Sequence, residues 1–134
     1  MPIRCLIVDD NSSFRQEMGG LLEEQGLEVV GGAGSAAEAL QQIAELRPDV
    51  ALIDIDLGRD SGLTLTTRLR ETPGPAAPTV ILISTHDGEA FAELIERSSA
   101  LGFLAKTELS AAAIRRMLAS ATSETSRSDG RRGT

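Results

Sequence analysis

Short runs of aliphatic residues alternate along the chain with longer segments in which apolar residues recur every three or four positions. The short runs predict five strands, over Ile3–Val8, Leu27–Val30, Val50–Ile53, Thr79–Ile83 and Leu101–Ala105. Three of these runs are almost unbroken Ile, Leu and Val. Such runs are typical of strands covered on both faces, as in a parallel sheet.

The segments between the strands predict five helices, each with one apolar face. The first two are predicted over Ser12–Gln25 and Ala36–Leu46, and Ser35 with Glu38 forms a capping box at the start of the second. The third is predicted over Leu63–Arg70. The apolar faces of the last two are marked by Phe91, Leu94 and Ile95, and by Ile114, Met117, Leu118 and Ala121. This alternation predicts an α/β domain with a doubly wound, five-stranded parallel sheet and five helices.

The predicted domain covers residues 1–121. Three of the five prolines fall in Thr72–Pro78, which predicts a loop inside the domain rather than a boundary. After Ser120 the chain has no apolar residue larger than Ala. Residues 122–134 are therefore predicted to form a flexible tail or the start of a linker.

Composition and charge exclude several classes of protein. The 134 residues include 20 Asp and Glu against 13 Lys and Arg, a formal net charge of -7, and only 2% are aromatic. This balance argues against a domain that binds nucleic acid or a membrane surface. The single Cys5 and single His86 exclude an intrachain disulfide and a zinc site of several cysteines or paired histidines. No apolar run reaches the roughly 18 residues of a membrane span, and none forms a signal peptide, so we expect a cytoplasmic location.

Polar residues follow the predicted strands at the edge of the sheet where ligands collect in doubly wound folds. In strand order they are Asp9 and Asp10, then Asp54 with Asp56 two positions later, then Ser84 and Thr85, and finally Lys106. Three converging carboxylates and one lysine leave a charge of about -2, which matches one divalent cation. Because the candidate ligands are all oxygens, we expect Mg²⁺. A carboxylate surrounded by Mg²⁺, a lysine and a hydroxyl group forms a site that can handle a phosphoryl group.

The order and spacing of four motifs resemble the receiver domain of two-component response regulators, over about residues 3–120. The motifs are Asp9-Asp10, the stretch Asp49–Gly62 around Asp54, Val80–Thr85 and Gly102–Lys106. The resemblance implies that Asp54 is the phosphoacceptor, which takes phosphate from a sensor histidine kinase or a phosphotransfer protein. It also implies a Mg²⁺ site in which Asp10 binds directly and Asp9 through water, together with Asp54 and the backbone carbonyl of Asp56.

The same resemblance implies a switch. Ser84 would hydrogen-bond the new phosphoryl group, Lys106 would pair with its oxygens, and Phe103 would turn inward as the switch aromatic. The surface affected is built from the fourth helix, fifth strand and fifth helix, and it could form a homodimer. The chain would then be a signalling phosphoacceptor that assists its own phosphorylation and dephosphorylation, not a turnover enzyme.

The sequence departs from the family pattern in the loop after the acceptor and after the lysine. Gly58 stands where a proline is common, and Ser61 replaces an Asp before Gly62, so we expect a looser loop. Thr107 stands where the family usually has proline after the lysine. Asp56 and His86, each two residues beyond a site residue, are hypothesised to screen or orient the hydrolytic water and so set the phosphoryl lifetime.

Four other interpretations can be drawn from the sequence. Gly32–Ala37 matches the G-x-G-x-x-A pattern of dinucleotide-binding loops, but it follows the second strand and the chain leaves no room for a substrate domain. Asp54-Ile-Asp56 fits the nucleophile and acid pair of haloacid-dehalogenase-like phosphatases, but that family places the pair after its first strand. A flavodoxin-type flavin module shares the fold, but Asp9–Asn11, at the place of its phosphate loop, would repel a phosphate that has no metal ion with it. A degenerate receiver that acts only as a constitutive binding module also stays open, although the intact site residues argue against it.

Overall fold

The central sheet has five parallel strands. The computed structural model describes residues 2–71, 77–85 and 92–120. The strands are β1 (Arg4–Val8), β2 (Glu28–Ala33), β3 (Val50–Asp54), β4 (Thr79–Ser84) and β5 (Gly102–Ala105). Their order across the sheet is β2-β1-β3-β4-β5. Because the chain reverses its direction of winding between β1 and β3, the carboxyl ends of these two strands flank the crevice where doubly wound folds bind ligands.

Five helices alternate with the strands, as the sequence predicts, and the last of them follows β5. They are α1 (Ser12–Glu24), α2 (Ala36–Leu46), α3 (Gly62–Glu71), α4 (Ala92–Arg97) and α5 (residues 111–120). The doubly wound architecture is therefore confirmed. Apart from β2, the predicted bounds of the strands and of the first three helices differ from the observed ones by at most one residue at either end.

Two-sided burial of the strands explains their unbroken aliphatic sequences. In β1, Leu6 and Val8 pack with α2 and α3 on one face of the sheet, whereas Cys5 and Ile7 pack with α1 and α5 on the other. Successive side chains of a strand point to opposite faces, so a strand covered on both sides needs apolar residues at every position. All five residues of β3 are buried, and this includes Asp54 at its end.

Strand β2 is longer than predicted, so Gly31 and Gly32 belong to the strand and not to the turn that follows it. Gly31 and Gly32 pair with Leu6 and Ile7 of β1 after a register shift, so only Gly34 and Ser35 remain between β2 and α2. A Cβ atom on Gly31 would collide with the side chain of Gln42. Gly31 therefore lets α2 approach the sheet closely. The predicted glycine-rich turn is reduced to two residues.

The segment after Asp54 forms a small antiparallel ribbon that the sequence analysis did not predict. Asp56–Leu57 pairs with Asp60–Ser61 around a turn at Gly58, whose φ of 73° suits glycine. Asp60 Oδ2 accepts a hydrogen bond of 2.9 Å from the backbone N–H of Ala36. The loop that we expected to be loosened is thus paired with itself and joined to the start of α2.

Side-chain caps fix the ends of the helices nearest the site. Asn11 Oδ1 accepts a hydrogen bond from the backbone N–H of Phe14 at 3.1 Å, at the start of α1. Ser35 Oγ accepts from the N–H of Glu38 at 3.2 Å, which confirms the serine half of the predicted capping box. Each cap satisfies an N–H group that has no partner inside its own helix.

Some predictions fall outside the described residues. They concern His86, Phe91, Ala121, residues 72–76 of the proline-rich loop, and the tail over 122–134. Within the described ranges no cis peptide bond is present, so the Lys106–Thr107 bond is trans. The helices of those same ranges include none that is long and apolar enough to span a bilayer.

Candidate functional site

Three carboxylates meet at the carboxyl ends of β1 and β3. Val8 pairs with Ile53, which places the next residues, Asp9 and Asp54, side by side. One carboxylate oxygen from each of Asp9, Asp10 and Asp54 lies within 4.8 Å of the other two. Asp9 and Asp54 are buried, whereas Asp10 is exposed and faces solvent. Like charges this close repel one another strongly in a partly buried site, so the cluster favours a bound cation.

Lys106 supplies one positive charge to this cluster. It follows β5 directly, and its Nζ atom lies 2.5 Å from Asp9 Oδ2 and 3.0 Å from Asp54 Oδ2. Burial acts to lower the pKa of Lys106, but pairing with the two carboxylates outweighs this effect and raises that pKa above its ordinary value. The side chain therefore remains an ammonium ion at neutral pH.

Asp54 is held by contacts to both of its carboxylate oxygens. Oδ1 accepts a hydrogen bond of 3.0 Å from the backbone N–H of Asp56, and Oδ2 contacts Lys106. Burial raises the pKa of Asp54 above its usual range, the negative charge of Asp9 adds to this, and the hydrogen bonds from Lys106 and Asp56 offset it only in part. Ionised Asp54 would therefore be stabilised by a further cation at the site.

The carboxylate of Asp9 has one well-bonded oxygen and one that is not. Oδ1 accepts a hydrogen bond of 2.9 Å from the N–H of Asn11. Oδ2 is fully buried and, among the described residues, has the Lys106 charge beside it but no well-directed hydrogen bond. A buried, under-bonded carboxylate oxygen next to two further carboxylates fits a hard cation with oxygen ligands, such as Mg²⁺. The donor set of this chain is thus compatible with the predicted metal.

The remaining predicted residues lie around this cluster in different ways. Ser84 ends β4 next to Ile83, the pairing partner of Asp54, and it is 3% exposed. Phe103 is half-buried in β5 and packs against the core on the side of α2 and α3. The Asp56 side chain accepts a hydrogen bond of 3.1 Å from the N–H of Gly58, so it is bonded within its own turn.

Two residues of α1 contribute to the site without having been predicted to do so. The Lys106 ammonium group lies over the Phe14 ring, with Nζ 4.3 Å from the ring centroid. Arg15 donates a hydrogen bond of 2.5 Å to the backbone carbonyl of Asp9, and its side chain passes close to Gly32 and Gly34. Phe14 lies on the apolar face of α1, where its spacing is that of a core residue, and no sequence signal distinguishes Arg15 from a surface arginine.

Comparison with known proteins places this geometry in a family. The family model described as response regulator receiver domain matches residues 5–119. The chain is 39% identical over 92 residues to a protein-glutamate methylesterase/protein-glutamine glutaminase of Alkalilimnicola ehrlichii, a match that covers 66% of this chain and 23% of that protein. The chain spans about a quarter of the first two curated relatives, at 23% and 26%, and 50% of the third.

Solved structures agree with this assignment. The signal receiver domain of NarL from Mycobacterium tuberculosis is 32% identical, with a TM-score of 0.73 and coverage of 86% of this chain and 94% of that one. A response regulator from Burkholderia pseudomallei, solved with a phosphorylated aspartic acid, a calcium ion and citrate, is 25% identical, with a TM-score of 0.75 and coverage of 95% and 72%. With a family match over most of the sequence and the same fold in these structures, the chain belongs to the receiver domains of the two-component response regulators.

Proposed function

We propose that this receiver domain accepts a phosphoryl group on Asp54 and changes a binding surface in response. The observation that carries the proposal is the setting of the Asp54 carboxylate. One oxygen is held by the N–H of Asp56, the other lies 3.0 Å from Lys106 Nζ, and two further carboxylates lie within 4.8 Å. A buried nucleophile with a fixed ammonium ion beside it suits the transfer of an anionic group.

The proposed reaction is a phosphoryl transfer from a histidine of a sensor kinase or phosphotransfer protein. An oxygen of ionised Asp54 attacks phosphorus, the P–N bond breaks, and the imidazole nitrogen keeps the electron pair. Lys106 stabilises the negative charge on the phosphoryl oxygens. Asp9, Asp10, Asp54 and the backbone carbonyl of Asp56 would hold Mg²⁺, which neutralises phosphoryl charge when it is bound.

We infer that Ser84 and Phe103 convert the phosphoryl group into a change of surface. Ser84 would donate a hydrogen bond to the phosphoryl group, and movement at the end of β4 would give Phe103 room to turn inward. The surface affected would consist of α4, β5 and α5. A surface that changes with the phosphorylation state suits a contact with a second copy or a partner protein.

In this proposal the domain, over residues 1–121, is a switch and not a turnover enzyme. The methylesterase and glutaminase activities belong by name to longer relatives, and the match covers only a minor part of them. The competing candidate is a receiver that has lost phosphorylation and acts as a constitutive binding module.

Acetyl phosphate with Mg²⁺ tests the proposal, with intact-mass spectrometry as the measurement. We expect the wild-type chain to gain the mass of one phosphoryl group and Asp54→Asn to gain none. Asp60→Asn is the matched control, because Asp60 lies six positions along the chain and outside the carboxylate cluster, and it should be labelled like wild type. Labelling of Asp54→Asn would refute the acceptor assignment, and an unlabelled wild type would favour the binding module.

A further inference from the structure

The side chain of Lys106 contacts an aromatic ring as well as two carboxylates. Its Nζ atom lies 4.3 Å from the centroid of the Phe14 ring, inside the range of roughly 6 Å over which a ring face attracts a cation. The side chain of Lys106 is only 13% exposed. Because water is largely excluded from the ammonium ion, the attraction of the ring is stronger than it would be on an open surface.

The position of this ring is fixed by the same short segment that carries Asp9. The N–H of Asn11 binds Asp9 Oδ1 at 2.9 Å, and Asn11 Oδ1 in turn binds the N–H of Phe14 at 3.1 Å. The Phe14 ring also packs against the core cluster that contains Ile7 and Ile83. Asn11 therefore links the Asp9 carboxylate to the backbone of Phe14, and the Asp9 carboxylate and the Phe14 ring both contact the Lys106 ammonium ion.

We propose that Phe14 is a positioning residue that keeps the Lys106 ammonium at the acidic cluster when its carboxylate partners are engaged by other groups. Part of this inference rests on the function proposed above, in which a cation and a phosphoryl group occupy the site. Either group weakens the attraction between Lys106 and the carboxylates. The ring carries no charge and is no ligand for a hard cation, so its attraction for the ammonium ion persists.

An aliphatic side chain at position 14 would fill similar space but would not replace this attraction. It would leave the ammonium ion buried against an apolar surface, which disfavours the charged form. The proposal thus assigns the effect of Phe14 on Lys106 to the face of the aromatic ring and not to the volume of the side chain. A role in packing alone would depend on the volume.

Lys106 is the only lysine in the chain, which makes the contact directly measurable. Biosynthetic labelling with ¹³C-lysine gives one set of side-chain signals from the full-length protein. We expect the ε-CH₂ protons of Lys106 to be shifted upfield by the ring current of Phe14. The shift should be lost in Phe14→Leu, retained in Phe14→Tyr and retained after addition of Mg²⁺ and beryllofluoride.

The second measurement is the affinity for beryllofluoride, a phosphoryl mimic, at saturating Mg²⁺. We expect Phe14→Leu to bind it about three- to tenfold more weakly, the size of effect that a partly desolvated cation–π contact produces. Phe14→Tyr should restore the affinity, and Mg²⁺ binding alone should stay near the wild-type value. Met18→Leu, one turn along α1 and packed on the same core cluster, is the control for altered packing and should bind like wild type.

Three results would overturn the proposal. They are an upfield shift that persists in Phe14→Leu, beryllofluoride affinity unchanged in Phe14→Leu, and a Phe14→Tyr variant as weak as Phe14→Leu. If Phe14→Leu does not fold, Phe14→Met provides a flexible apolar side chain for the same comparison. Failure of the proposed function has a different signature, because a wild type that binds no beryllofluoride would still show the ring-current shift in its free state.

Discussion

Gln25 and Ala111 are joined by a hydrogen bond of 2.7 Å although they lie 86 residues apart, with the backbone N–H of Ala111 donating to Gln25 Oε1. The backbone carbonyl of Gln25 also accepts from Arg115 at 3.1 Å. The residue that ends α1 therefore caps the start of α5, and the two helices are held together on one face of the sheet. Because α5 belongs to the proposed output surface, this contact fixes one side of that surface.

Replacement of this cap should destabilise the domain. Gln25→Ala leaves the N–H of Ala111 without its acceptor, and loss of a helix cap decreases the free energy of unfolding by about 1 kcal/mol. Urea unfolding followed by circular dichroism measures the change. Gln25→Glu keeps an acceptor and places a negative charge at the start of α5, so it should be at least as stable as wild type. Equal losses in the Ala and Glu variants would contradict this account.

Asp60 provides a second long-range cap, between the ribbon and α2. Its carboxylate accepts from the N–H of Ala36, so Asp60→Ala should decrease the free energy of unfolding by about 1 kcal/mol, whereas Asp60→Asn keeps an acceptor and should lose less. Thermal unfolding of the three proteins side by side tests this order. A stability of Asp60→Ala equal to that of wild type would show that the hydrogen bond contributes nothing in solution.

Two glycines should respond to alanine in opposite directions. A Cβ atom on Gly62 would collide with the backbone carbonyl of Asp54, whereas Gly20 in α1 has nothing within 4 Å of the same position. Gly62→Ala should therefore decrease stability by about 1–3 kcal/mol through overpacking and displace Asp54. Gly20→Ala should increase stability by about 0.5–1 kcal/mol, because alanine is the better helix former. Unfolding free energies of both variants, together with acetyl phosphate labelling of Gly62→Ala, test the pair.

The buried thiol of Cys5 predicts a dependence of stability on alkaline pH. Burial raises the pKa of Cys5 to about 12, whereas the thiol of an unfolded chain titrates near its ordinary value of about 8.5. Between these values the unfolded state releases a proton that the folded state keeps. The contribution of Cys5 to stability is thus complete below about pH 8.5 and falls as the pH rises towards 12.

Comparison with Cys5→Ala isolates this contribution, since the variant removes the thiol while the other titrating groups remain. The stability difference between wild type and variant should shrink from pH 8 to pH 10. A difference that stays constant over this interval would refute the burial argument. In the native protein the thiol should also react slowly with Ellman's reagent at pH 8, and quickly once urea unfolds the chain.

The parts of the site that the sequence predicted are those that depend only on strand order. Asp9, Asp54 and Lys106 each follow or end a recognisable aliphatic strand, and the parallel sheet brings those ends to one edge. No detailed contact had to be known for this. The structure accordingly brings these residues together, with Lys106 Nζ 2.5 Å from Asp9 Oδ2 and 3.0 Å from Asp54 Oδ2.

Other features could not be predicted because they depend on contacts between distant segments. The glycines of β2 resembled a phosphate-binding turn, since nothing local shows that Gln42 and Arg15 occupy the space beside them. From the sequence Asp60 is only a loop residue, because nothing near it in the chain indicates its hydrogen bond to Ala36. Phe14 had the spacing of a core residue, and only the position of Lys106 shows that its ring also faces a charge.

The ion pair between Lys106 and Asp9 predicts how the lysine and Mg²⁺ each affect the stability of the domain. Lys106→Met keeps much of the side-chain volume but leaves the fully buried Asp9 carboxylate without its counter-charge. Breaking one partner of a buried pair decreases the free energy of unfolding by about 3–5 kcal/mol. We therefore expect a marked loss of stability in the absence of divalent cations, measured by thermal or urea unfolding in EDTA.

Mg²⁺ should restore more stability to Lys106→Met than it adds to wild type. In wild type an entering cation competes with the ammonium ion for Asp9 and Asp54, whereas in the variant those carboxylates are unpaired. At a given Mg²⁺ concentration the folded state gains more stability the more tightly it binds the ion, so the midpoint shift with Mg²⁺ should be larger in Lys106→Met. Asp10→Asn, which removes an exposed carboxylate of the same cluster, should show a smaller Mg²⁺ shift than wild type. A larger shift in wild type than in Lys106→Met would mean that the lysine and the metal do not share the same carboxylates.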